Sequence, residues 1–97
     1  MLTLEQIRAA VAEVAPKYGI EKVYLFGSYA RSDADEESDC DFRVEGSKID
    51  SLYDICEIFD ELSEKLGRKA DIVLKKNIKP EIYDNMREDE VLIYGGV

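Results

Sequence analysis

Lys22-Val23-Tyr24-Leu25-Phe26-Gly27-Ser28, followed after ten residues by Asp39-Cys40-Asp41-Phe42-Arg43-Val44, decides how this chain folds. The first run is β-branched and aromatic up to Phe26, which predicts a strand, and Gly27-Ser28 then marks a tight turn. The second run predicts a strand from Asp39 to Val44. Its period of two sends Cys40, Phe42 and Val44 to one face and Asp39, Asp41 and Arg43 to the other. Between the two, Tyr29-Ala30-Arg31 reads as a short helical piece. The acidic stretch from Ser32 to Ser38 reads as a solvated loop that delivers the chain into the second strand.

Outward from this pair, the elements follow from spacing. Thr3-Leu4-Glu5-Gln6 has the pattern of a capping box, and Leu4, Ile7, Val11 and Val14 recur at helical intervals behind it. Pro16 to Gly19 punctuates that helix. A second helix is predicted from about Asp50 to Leu66, with Leu52, Ile55, Cys56, Phe59, Leu62 and Leu66 on one stripe and Gly67 as its stop. Ala70-Asp71-Ile72-Val73-Leu74 predicts a third strand. Pro80 can open a further helix with Ile82, Tyr83 and Met86 inward. Val91-Leu92-Ile93-Tyr94 predicts a last edge strand. The order describes an α/β (α+β) domain, a small mixed sheet flanked by helices, with residues 1–97 as a single domain. No internal repeat, linker or low-complexity tract interrupts it.

Composition narrows the chemistry. Ninety-seven residues suffice for one modest core and are too few for two, so any second substrate lobe is expected to come from another molecule. Thirteen basic against 22 acidic residues give a net charge of -9, which argues against direct nucleic-acid binding. No stretch reaches the roughly 20 apolar residues of a membrane span, and the N-terminus lacks the regions of a signal peptide, so a cytoplasmic protein is expected. Cys40 and Cys56 form no CxxC pair and are expected to be buried free thiols. With no histidine in the chain, triads built on histidine and paired-histidine zinc sites are excluded. Carboxylates must carry the chemistry.

Three carboxylates stand out. Asp39 and Asp41, at i and i+2 of one strand, project from the same face, and Asp71 joins them if its strand lies alongside. Such a set can share two magnesium ions roughly 4 Å apart, the arrangement that stabilises the entering and leaving oxygens of a phosphoryl displacement. Gly27 lets the backbone approach phosphate without a Cβ in the way, and Ser28 adds a hydroxyl and an N–H. Arg31 is placed either to bind phosphate or to tie down the acidic loop through Asp33 or Asp35. Arg43 shares the face of the aspartates and can meet phosphate or a partner carboxylate.

Gly27-Ser28-Tyr29-Ala30-Arg31, Ser38-Asp39-Cys40-Asp41 and Leu66-Gly67-Arg68-Lys69-Ala70-Asp71-Ile72-Val73 together resemble the minimal nucleotidyltransferases of the polymerase-β superfamily. The resemblance implies that Gly27 and Ser28 contact a triphosphate, that Asp39 and Asp41 bind magnesium, and that Asp71 completes the metal site and helps activate the attacking hydroxyl. It also implies ATP as co-substrate and a HEPN-type toxin as partner, neutralised in a complex by transfer of AMP to one of its tyrosines. Tyr29, Tyr83 and Tyr94 could line the contact with such a partner. Two other readings accompany this one: an antitoxin that masks its toxin by binding alone, and a transferase acting on a small-molecule hydroxyl. Ser32 stands where many relatives carry glycine, and Arg43 where they carry an apolar residue.

Overall fold

The computed structural model describes residues 2–49, 51–74 and 78–95, with the side chains of Met86 and Arg87 outside that description. Helix α1 (Leu4–Val14) begins at a complete capping box, in which Thr3 Oγ1 accepts from the Gln6 N–H and the Gln6 side chain accepts from the Thr3 N–H. A 3₁₀ turn over Ala15–Tyr18 carries the chain into β1 (Lys22–Phe26). Then come β2 (Cys40–Glu45), α2 (Leu52–Leu66), β3 (Ala70–Leu74), α3 (Pro80–Arg87) and β4 (Val91–Gly95). Residues 28–32 form hydrogen-bonded turns and not the expected helical piece, with the Arg31 N–H bonded to the Gly27 carbonyl and the Asp33 N–H to that of Ser28.

The sheet is mixed, in the order β3-β2-β1-β4. β1 is antiparallel to both β2 and β4, whereas β2 and β3 run parallel and are therefore joined by a crossover, helix α2. Alternation sorts the two faces. Val23, Leu25, Cys40, Phe42, Val44, Ala70 and Leu74 are buried together with Ile7, Val11 and Val14 of α1 and Ile58, Leu62 and Leu66 of α2. The opposite face carries Tyr24, Asp41, Arg43 and Asp71, and α3 reaches it through the Tyr83 ring, which lies 5.0 Å from the Arg43 guanidinium.

The inward stripe of α2 differs from the expected one. Ile58 is fully buried, whereas Leu52 and Tyr53 are 76% and 72% exposed and Cys56 is exposed. A helical period centred on Leu62 takes in Ile58 and Leu66 but carries Cys56 off the inward arc, so only Cys40 is a buried thiol. In α3, Ile82 is half-exposed and Tyr83 half-buried; the inward placement expected of Met86, and the expected helix opening at Asp50, lie outside the described residues. No described helix is long and apolar enough to cross a membrane.

Candidate active site

β1 ends at Phe26, and Gly27 reverses the chain with φ +78°, a conformation that L side chains rarely adopt. A Cβ built on Gly27 would come within 2.6 Å of Asp41 Oδ2. The position thus demands glycine twice: for the turn, and for the carboxylate packed against its open face. That closeness follows from the sheet, because Phe26 pairs with Asp41 in the β1–β2 register.

On the other side of β2 the parallel register sets Asp41 opposite Asp71. Burial, the neighbouring charges of Asp71 and Asp39 and a hydrogen bond with Asp71 push the Asp41 carboxyl up to about 6, with Arg31 acting in the opposite sense. Asp39 precedes β2 and is exposed. Asp71 is half-buried, with Lys69 Nζ 3.6 Å from its Oδ1. The sheet therefore brings Asp41 and Asp71 side by side and leaves Asp39 at their rim. Among the described residues no three histidine, cysteine, aspartate or glutamate side chains converge into a ready metal cage. The donor set nevertheless fits a hard divalent cation: every donor is a carboxylate oxygen, and two such groups held together repel until a cation or a proton lies between them.

Arg31 stands at the mouth of the turn. Its Nε lies 3.4 Å from Asp33 and its Nη1 3.8 Å from Asp89, with about half of the side chain exposed. It thus ties down the loop through Asp33 and still faces the site. Ser28 is half-buried in the same turn. The turn opens onto a cleft of about 200 Å³ lined by Phe26, Gly27, Arg31, Ile82, Asn85 and Asp89. Ile82, Asn85 and Asp89 belong to no motif; they reach the cleft because β4 pairs with β1 and draws the end of the chain back beside Gly27.

Arg43, expected to meet phosphate or a partner carboxylate, meets two carboxylates of its own chain instead. It is 1% exposed, and its guanidinium binds Glu45 at 2.6 Å and Glu90 at 2.9 Å, both from its own chain. It also lies 4.1 Å from the centre of the Tyr24 ring. Burial works against its charge, but the hydrogen bonds to Glu90 and Glu45 outweigh it and raise the guanidinium pKa further. Cys40, on the core face between the two aspartates, has its thiol pushed up to about 11 by burial, which leaves it inert. Tyr29 is buried in the core, so of the three tyrosines proposed for a partner contact only Tyr83 and Tyr94 reach solvent.

Residues 9–96 match the family model described as polymerase beta, nucleotidyltransferase. The chain belongs to the polymerase-β nucleotidyltransferase family. It is a nucleotidyltransferase of the polymerase-β-like fold, and its curated relatives include the protein adenylyltransferase MntA of Thermococcus cleftensis, 33% identical over 97 residues that cover 96% of this chain and 98% of the relative. Solved structures of the same fold include a toxin–antitoxin complex with AMP-PNP, with a TM-score of 0.81 at 18% identity over 92% of this chain and 73% of that one. Another is the tri-AMPylated HEPN toxin of Shewanella oneidensis in complex with an MNT antitoxin, with a TM-score of 0.75 at 16% identity over 97% of this chain and 74% of that one.

Proposed function

We propose that this nucleotidyltransferase is the antitoxin of a HEPN-type toxin and transfers AMP from ATP to a tyrosine hydroxyl of that partner, in the cytoplasm and in a magnesium-dependent reaction. The observation that carries the reading is Asp41, which packs against the open face of Gly27 on one side and lies opposite Asp71 in the parallel register on the other, so that a carboxylate pair adjoins the Gly27-Ser28 turn. The likeness to MntA supports the substrate class.

Asp39, Asp41 and Asp71 would hold magnesium, which when bound supplies charge stabilisation at the α-phosphate and lowers the pKa of the incoming hydroxyl. The chain's own groups account for the rest. The Gly27-Ser28 turn receives the triphosphate with its backbone N–H groups and the Ser28 hydroxyl, and Arg31 offers a further N–H donor at the rim. The tyrosine oxygen attacks the α-phosphorus in line, its proton passes to an Asp71 carboxylate oxygen, and the bond to the bridging oxygen breaks to release pyrophosphate. The docked partner would provide the orientation of its own acceptor hydroxyl.

Co-expression with the cognate toxin tests the reading. Growth is restored by the wild type and not by Asp71→Asn at equal abundance. Equal rescue by both would overturn catalytic neutralisation in favour of masking by binding.

A further inference from the structure

We infer that Arg43 is a positioning residue that holds α3 against the sheet and thereby sets the width of the cleft beside Gly27 and Arg31. The inference rests on reading that cleft as the nucleotide site. Among the residues of α3 whose side chains are described, Pro80, Glu81, Ile82, Asp84 and Asn85 are exposed and Tyr83 is half-buried. The Arg43 guanidinium lies over the Tyr83 ring at 5.0 Å and over the Tyr24 ring at 4.1 Å.

The other end of the same guanidinium holds Glu90 at 2.9 Å. Tyr83 and Glu90 directly adjoin Ile82 and Asp89, two residues of the cleft wall, with Asn85 between them. One buried cation thus fixes both ends of the wall that faces the Phe26-Gly27 turn. Glu45, at 2.6 Å, orients the cation along β2 two residues from Asp41. Planarity and the fork of donors make arginine suited to this arrangement of two rings and two carboxylates, and a lysine ammonium cannot meet all four partners at once.

Equilibrium binding of ATP to the intact protein, measured by calorimetry in magnesium beside the AMP-transfer rate, tests the inference with Tyr83→Ala, Arg43→Lys and Arg43→Met. Tyr83→Ala removes one anchor and keeps Arg43 paired with Glu45 and Glu90, so it is expected to keep the fold under circular dichroism. It is expected to weaken ATP binding roughly ten-fold, a larger effect than on the rate at saturating ATP. Arg43→Lys should fall between Tyr83→Ala and Arg43→Met in ATP affinity. A folded Tyr83→Ala protein that binds ATP as the wild type does, or that loses maximal rate at unchanged affinity, overturns the inference alone. A wild type that binds no ATP overturns the nucleotide reading and this inference with it.

Discussion

Ser32 adopts φ +63°, and every other positive φ among the described residues belongs to glycine. The left-handed region costs an L residue about 1–2 kcal/mol, part of which glycine returns through its greater freedom in the unfolded chain. Ser32→Gly should therefore stabilise the protein by about 0.5–1 kcal/mol in urea unfolding, a gain absent if the loop changes path. Asp41 carries the opposite kind of strain. Its folded pKa of about 6 lies above its ordinary value of 3.8, so the ionised carboxylate destabilises the folded state most above pH 6. That penalty is relieved as the pH falls from about 6 towards 3.8. Glu13, Asp35 and Glu61 are shifted the other way, and the stability they contribute is lost only below the ordinary carboxylate range. Thermal melts at pH 7 should thus place Asp41→Asn above the magnesium-free wild type by a few degrees, with the gap narrowing below pH 6 and closing near the ordinary value of 3.8, while AMP transfer is lost in the variant. A variant that melts lower at pH 7 would contradict the repulsion between Asp41 and Asp71.

At the scale of elements, the buried arc of α2 separates residues that look alike in the sequence. Leu62 is 1% exposed and Leu52 76% exposed. Leu62→Ala should cost about 2–5 kcal/mol and Leu52→Ala less than about 0.5 kcal/mol, as equilibrium unfolding will report. Both strands of the opening motif, the capping box and the edge strand β4 were legible because local signals decide them: alternation, β-branched runs and cap chemistry. The juxtaposition of Asp41 and Asp71 was legible only conditionally, since the parallel register that creates it is a tertiary fact. Tertiary packing also decided what the pattern could not. Apolar residues at Leu52 and Cys56 extended the apparent stripe of α2 beyond the surface available to cover it. In the wall, Asn85 and Asp89 had no sequence signal and Ile82 read only as an inward helix residue, because β4 pairing brings it to Gly27 from more than fifty residues away. Arg43 gave half a signal. Its face followed from alternation, but its partners, Glu90 and Tyr83, come from a distant segment.

For the whole molecule, one consequence of the carboxylate cluster concerns stability. A cation that binds only the folded state raises its stability by about 2.7 kcal/mol at a hundred times its dissociation constant. Magnesium with ATP should therefore raise the melting temperature of the wild type and leave that of an Asp39→Ala/Asp41→Ala protein unchanged. An equal rise in both would place the cation elsewhere. The net charge of -9 adds that complex formation with a cationic partner should weaken as salt is raised. Neither effect identifies the reaction. The measurement that does so is intact-mass spectrometry of the cognate HEPN-type partner after incubation with this protein, ATP and magnesium. The partner should gain the mass of one or more AMP groups with the wild type and none with Asp39→Ala/Asp41→Ala. A partner that stays unmodified yet is bound and silenced, or that gains AMP equally from the double variant, would contradict the assignment of this site as the seat of nucleotidyl transfer.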